Sequence, residues 1–239
     1  MMNILITGKN GFIAKNLLET LSGQHNVMSI SHNESEECLY RCCSKCDVIY
    51  HLAAVQRSEN EEDFVNGNII YTKKIIEAIE KSKNHVPVIF SSSTGIENNN
   101  IFAKTKLEAE KILREYGKKY EKNIVVFKLN NIYGKYGKPD FNNVIATFCN
   151  NVAKSRPILI HNPATILKLT YIDDLMKDFI YILNDIDNYN DRYDEYILPS
   201  NIIEKTLGDI VKTIGDVCNG KVYDEFSERI QKTLMSYYK

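Results

Sequence analysis

Gly8, Gly11 and Ala14 stand at three-residue intervals directly after an apolar run, Ile4 to Ile6. A strand, a glycine turn and a helix in that order suit a dinucleotide pyrophosphate. Gly8 allows the tight turn, Gly11 lets the backbone approach the phosphates, and Ala14 keeps helix and strand close. Free N–H groups and the dipole at the helix start favour the anion. Asn10, Phe12 and Ile13 complete the turn and join the expected cofactor contacts. The second strand ends Ser29-Ile30-Ser31-His32-Asn33, with no acid to receive an adenosine ribose 2′-hydroxyl. Lys9, His32 and Asn33 are placed instead to meet a 2′-phosphate. This leans the cofactor toward NADP(H), with NAD(H) as the alternative. Lys9 reads equally well as a solvated loop lysine.

These groups need elements to hold them, and the chain alternates strand-like and helix-like runs. Strands are expected at 4–7, 26–31, 48–53, 86–91 and 124–129. Helices are expected at 14–22, 34–44, 62–83 and 103–120. Such alternation implies a parallel sheet with helices on both faces. The third strand ends in Leu52, Ala53 and Ala54, small enough to leave room for a cofactor ring at the sheet crevice. His51 reads as a packed core histidine. Beyond residue 133 the pattern loosens. It gives helices at 141–155, 173–184 and 207–219, short strands at 158–160 and 167–171, and a polar loop at 185–195. Thr206 is placed to cap the helix at 207–219. The last twenty residues read as weakly packed. The expected organisation is a dinucleotide-binding core over 1–133 and a mainly substrate-binding lobe over 134–239, within one compact unit.

The chain has 239 residues, 44% hydrophobic and 26% charged, with a formal net charge of −1. A core of ordinary size follows, with no electrostatic footprint for nucleic acid or an anionic membrane. No apolar run reaches membrane-spanning length, and a strand begins at once, so a cytoplasmic location is expected. Four of the six cysteines crowd into residues 38–46. Cys38, Cys42 and Cys46 are spaced for one face of a short helix, so they read as packing thiols. Zinc knuckles bring separated pairs together from turns, and no metal site is expected.

Several motifs then recur in a familiar order: Thr7-Gly-Lys-Asn-Gly-Phe-Ile-Ala14, His51-Leu-Ala-Ala54, Asn68, and Ser91-Ser-Ser93. Lys106, Asn131-Ile-Tyr-Gly134 and Tyr171-Ile-Asp-Asp174 follow. In this the chain resembles the extended short-chain dehydrogenase/reductase, or NAD-dependent epimerase/dehydratase, family. The stretch 133–149 and the short loop before Lys106 are most similar to the reductase domain of CapF-type capsular polysaccharide enzymes. The resemblance implies an α/β, Rossmann-like doubly wound parallel sheet with a small C-terminal substrate-binding lobe. It implies reduction of the C4 ketone of a UDP-linked 4-keto-6-deoxy amino sugar. The zinc-binding cupin module of those enzymes has no counterpart in these residues. By the same resemblance, Asn68, Ser91, Lys106 and Leu129 join the cofactor contacts. Pairing of the helices at 62–83 and 103–120 would make a homodimer.

The family's chemistry moves a hydride to a ketone while a tyrosine gives the proton. A lysine one helical turn later lowers the phenol's pKa and binds the ribose, and a serine polarises the carbonyl. Lys106 and Ser93 match the last two, with Thr94 a second choice for the carbonyl. The tyrosine position is Phe102, and no tyrosine lies between Tyr71 and Tyr116. Three readings follow. Phe102 replaces a natural tyrosine; or water on Ser93, or a distant tyrosine, gives the proton; or the protein binds nucleotide and sugar without turnover. Substrate contacts implied by the resemblance are Arg57, Ser93, Thr94, Asn131, Asn143, Val144 and Lys168. An epimerase on the same scaffold stays open. Thr94-Gly95-Ile96 lacks the acid pair that a dehydratase would place there.

Overall fold

The computed structural model describes residues 1–187, 189 and 195–238. It divides into two compact units, residues 1–129 with 179–198, and residues 130–178 with 199–239.

The first unit is built on five parallel strands: β1 (Asn3–Thr7), β2 (Asn26–Ile30), β3 (Val48–His51), β4 (Val88–Ser93) and β5 (Ile124–Leu129). Their order is β2-β1-β3-β4-β5. Strands buried on both faces read as continuous apolar runs. Ile4, Leu5, Ile6, Val48, Ile49 and Tyr50 are accordingly fully buried. Helix α1 (Phe12–Leu21) follows β1, and α2 (Glu36–Cys43) follows β2. A helical run then passes through α3 (Glu61–Phe64), a π-helical segment (Val65–Ile70) and α4 (Tyr71–Ser82). Helix α5 (Ile101–Tyr120) follows β4 after one 3-10 turn (Thr94–Glu97). One face of the sheet packs Ile49, Phe90 and Val126 with Ile75 and Ile79 of α4 and Leu113 and Tyr116 of α5. On the other face, Phe179 packs against Tyr50 and Phe127 at ring separations of 5.4 and 4.8 Å.

Strand order reverses about β1, so the carboxyl ends of β1 and β3 open a crevice between them. His51 sits beneath it, fully buried. Thr72 donates its hydroxyl to Asn68 O, so its oxygen accepts from His51 Nε2 at 2.9 Å. Nδ1 then accepts from Thr7 Oγ1 at 2.8 Å, and Thr7 Oγ1 accepts from Ala53 N. The ring is a neutral strut between β1, β3 and α4, as the sequence suggests. Burial pushes its pKa down to about 3. An unfolded chain takes up this proton near pH 6.5, and the native one does not until about pH 3. Stability is therefore expected to fall as pH drops through that window. Urea midpoints at pH 7 and 4.5 check it: His51→Gln should show the shallower loss. Equal losses in the two proteins would discount His51.

The second unit carries β6 (Asn131–Tyr133), β7 (Ile166–Tyr171) and β8 (Ile203–Thr206) in that sheet order, with β7 and β8 antiparallel. Around them lie α6 (Val144–Ala153), α8 (Leu207–Cys218), α9 (Glu225–Met235) and the first turns of α7 (Ile172–Asn184). Thr206 caps α8 in a reciprocal capping box with Asp209, as expected from the sequence.

Three expectations differ. Residues 158–160 form no strand, and Leu159 is largely exposed. The apolar Ile158, Leu159 and Ile160 have no partner strand, and apolar content alone does not make one. The C-terminal residues are not weakly packed: α9 buries Phe226, Ile230 and Leu234. Helix α2 ends at Cys43, so Cys46 lies beyond it. The thiols still pack inward: Cys42, Cys43 and Cys46 are buried, and burial pushes the Cys46 thiol up to about 12. The loop expected over 185–195 lies partly outside the described residues.

Candidate active site

The turn after β1 is tight. Gly8 has φ +78°, and a Cβ there would lie 2.8 Å from Ala53 Cα. Gly11 N donates to Gly8 O at 2.7 Å, and Gly11 is the N-cap of α1 with no side chain to cap it. The first-turn N–H groups, including those of Phe12 and Ile13, have no partner within the helix and are open to an anion. A cleft of about 790 Å³ begins here. Gly8, Asn10, Gly11, His32, Leu52, Ala53, Ala54 and Arg57 all line it. A glycine cradle, bare helix N–H groups and a cleft of this size fit a dinucleotide.

Gly8→Ala is expected to cost over ~2 kcal/mol, from the left-handed backbone and the contact with Ala53. Thermal melting should fall by about 4–8 °C and dinucleotide binding should be lost. An unchanged melting temperature would show that the turn relaxes freely.

Other expected cofactor residues are placed differently. Lys9 is engaged, with Glu34 Oε1 accepting from its ammonium. The other oxygen of Glu34 accepts from Ser31 N and Oγ at 2.7 and 2.5 Å. These donors hold its carboxyl down at about 2. Both premises for a 2′-phosphate therefore change: an acid stands just past β2, and Lys9 is engaged. Asn33 is exposed and does not line the cleft. Asn68 is buried and spends its amide on protein groups. Its Oδ1 accepts from Val55 N at 2.8 Å, and its Nδ2 donates to Val55 O at 3.1 Å and Thr105 Oγ1 at 3.0 Å. It is a positioning residue that ties the loop after β3 to Thr105 of α5. Leu129 is buried at the end of β5. The sequence reading missed Glu34, and also Tyr71 and Lys74, which line the cleft from α4.

The three serines closing β4 divide their work by strand alternation. Ser91 O accepts from Lys106 Nζ at 2.7 Å. Ser92 faces Glu110, whose other oxygen accepts from Tyr196 at 2.8 Å. Ser93 caps the 3-10 turn, its oxygen accepting from Gly95 N at 3.0 Å, which leaves its hydroxyl proton to donate. Asn100 caps α5 and fixes its first turn, with Oδ1 accepting from Ala103 N at 2.8 Å. A Cβ on Gly95 would lie 3.2 Å from Ser93 Oγ and 3.7 Å from Phe102 Cε1, so both border one small space. Lys106 follows one turn later, its ammonium 3.8 Å over the Phe90 ring. It is fully buried, and that burial lowers its pKa to about 7. Thr94 opens the 3-10 turn beside Ser93.

Four expected substrate residues lie in the second unit. Asn143 caps α6 through Oδ1 and donates Nδ2 to Ile132 O at 3.1 Å, so its side chain is taken up by the fold. Val144 opens the helix. Asn131 donates to Lys168 O at 3.1 Å, and Lys168 faces Glu204 at 3.9 Å.

Comparison with known proteins decides the family, since the profile of the NAD dependent epimerase/dehydratase family matches residues 4–194. The chain belongs to that family. A Pseudomonas aeruginosa UDP-2-acetamido-2,6-beta-L-arabino-hexul-4-ose reductase is 33% identical over 185 residues, 77% of this chain and 50% of the relative. The capsular polysaccharide assembling protein CapF of Staphylococcus aureus superposes with a TM-score of 0.84 at 29% identity, covering 100% of this chain and 66% of CapF. A UDP-glucuronic acid 4-epimerase from Bacillus cereus, solved with NAD, shares the fold at TM-score 0.83 and 18% identity, both chains covered in full. This is an enzyme family with reductases and epimerases among its members. The chain spans half the length of the P. aeruginosa relative. Among the described residues no helix is long and apolar enough to cross a membrane.

Proposed function

We propose that this chain reduces the C4 ketone of a UDP-linked 4-keto-6-deoxy amino sugar. Ser93 and Phe102 border one small space at the junction of β4 and α5, with Lys106 one helical turn beyond residue 102, and this arrangement carries the reading. The likeness to a hexul-4-ose reductase supplies the substrate class. A reduced nicotinamide supplies hydride in such chemistry. Ser93 donates its hydroxyl hydrogen to the ketone oxygen and draws charge from the carbonyl carbon. Lys106, its ammonium bonded to Ser91 O, is assigned to the ribose hydroxyls. Phe102 stacks but brings no proton, so water held on Ser93 protonates the alkoxide that hydride addition leaves. Arg57, Asn131 and Lys168 are assigned to the sugar and diphosphate, with Asn143 and Val144 opening a helix near the diphosphate.

The test is product analysis with the keto sugar and reduced nicotinamide. A sugar that gains one hydrogen on C4 and one on its oxygen supports the reading. Epimerised sugar with no net use of reductant supports an epimerase instead. Phe102 favours a second reading, a nucleotide- and sugar-binding protein without turnover, which predicts tight binding and no product.

A further inference from the structure

Lys106 and Glu110 are the buried ammonium and the buried carboxylate of the first unit. They keep 2% and 3% of their surface, and no other lysine, arginine, aspartate or glutamate among that unit's described residues is buried. The two stand one turn apart on α5. Residues at that spacing share a helix face. Both reach the end of β4: Lys106 Nζ donates to Ser91 O at 2.7 Å, and Ser92 Oγ donates to Glu110 Oε1. Tyr196 holds the other oxygen of Glu110, its hydroxyl donating at 2.8 Å. Glu110 is thus fixed from two places outside its own helix. Burial lowers the Lys106 pKa to about 7, and the charge of Glu110 works against that fall.

Other charged groups on the elements around Lys106 are accounted for elsewhere. His51 of β3 stays neutral until about pH 3. Lys128 of β5 is paired with Glu97 at 2.6 Å. Glu61, Glu62 and Asp63 of α3 are exposed, as are Lys73, Lys74 and Glu77 of α4. Glu80 of α4 accepts from Lys119 and Tyr120. Further along α5, Arg114 donates to Glu195 O and lies 5.6 Å from the Tyr196 ring.

We propose that Glu110 is a positioning residue whose charge keeps Lys106 protonated in the site at neutral pH. The proposal rests on the assignment of Lys106 to the ribose hydroxyls. An ammonium taken out of water loses its hydration, and with no opposite charge near it gives up its proton instead. Ser91 O and the Phe90 ring offer it only partial charges. Glu110 offers a full one, and Ser92 and Tyr196 keep that carboxylate in place. A neutral Lys106 has fewer protons to donate and no charge. It then holds a ribose more weakly and does not lower the pKa of a phenol placed at residue 102.

Carbon-13 labelling of lysine Cε, followed by NMR across the pH range, reads the titration of Lys106 without any turnover. Lys106→Met identifies the signal. Glu110→Gln keeps the shape and removes the charge, and should lower the midpoint by at least ~1 pH unit. A midpoint that stays or rises overturns the proposal. Binding of NADH or NADPH, whichever the natural chain holds more tightly, gives a second readout. Glu110→Gln should bind at least ~5-fold more weakly at pH 7, where less of its Lys106 is charged, and should regain most of that loss at pH 5. An equal loss at both pH values reports a damaged fold and also overturns the proposal. If the natural chain binds neither nucleotide, the ribose assignment falls, and the titration alone decides whether Glu110 holds the charge. Should Glu110→Gln not fold, Lys106→Met/Glu110→Gln removes both charges. It should melt above Lys106→Met, in which Glu110 has lost its counter-charge. A double variant no more stable than Lys106→Met overturns the proposal.

Discussion

Restoring one oxygen, with Phe102→Tyr, is expected to raise the rate of keto-sugar reduction by ~10²–10⁴-fold. The ring already stands in the first turn of α5, its edge beside the space that Ser93 Oγ borders. Lys106 lies one turn further along the same face. A phenol added there would have a cation close enough to lower its pKa and a carbonyl to protonate. Little else should change, because Phe102 is only half-buried and the new hydroxyl replaces no packed atom. Consumption of reduced nicotinamide at 340 nm measures the gain, and the thermal melting curve controls for folding. A variant with no turnover on any UDP-4-keto-6-deoxy amino sugar would sink the reductase proposal. A natural chain that already turns over as fast as the variant would point to another proton donor. Lys106, near neutrality at about 7, would then be the first group to examine.

The glycine turn, the five parallel strands and α5 were legible because each rests on local pattern. Buried parallel strands are apolar throughout, and a capped amphipathic helix announces its own period. The π segment at Val65–Ile70 was not legible, since its apolar spacing passes for the α-helix on either side. Glu34 was missed because the expected acid was sought at the strand's end, and only the Ser31 turn brings a later residue back to that position. The resemblance marks Asn68 and Asn143 as ligand contacts, and the structure adds a positioning role to each. Their amides bond Val55 and Ile132, each more than ten residues away, which no spacing reveals. Helix α9 is different, because its signals were present: Asp224 and Ser227 form a capping box, and Phe226, Ile230 and Leu234 share one face.

Packing of that last helix leads to the largest expected loss of stability. Arg229 of α9 is buried, and its guanidinium meets Asp174 Oδ2 at 2.7 Å and Glu225 Oε1 at 2.5 Å. Asp174 is buried too, with Asn201 Nδ2 donating to it at 2.8 Å. Arg229 also lies 5.2 Å over the Tyr171 ring, at the end of β7. Intact, such a pair contributes little net, because taking both charges out of water offsets their attraction. Removing one partner is another matter. Arg229→Met keeps most of the apolar stem but leaves the buried Asp174 carboxylate to Asn201 and the largely exposed Lys177, 3.2 Å from its Oδ1, at a cost of about 3–5 kcal/mol. For a chain of this size the melting temperature should drop by roughly 6–20 °C. Asp174→Asn with Arg229→Met removes both charges, and should recover a large part of the loss if the stranded charge is its cause. Urea unfolding of the single and double variants reads this out. A single variant within ~1 kcal/mol of the natural protein would mean that water reaches Asp174, and that apolar packing alone holds α9 in place.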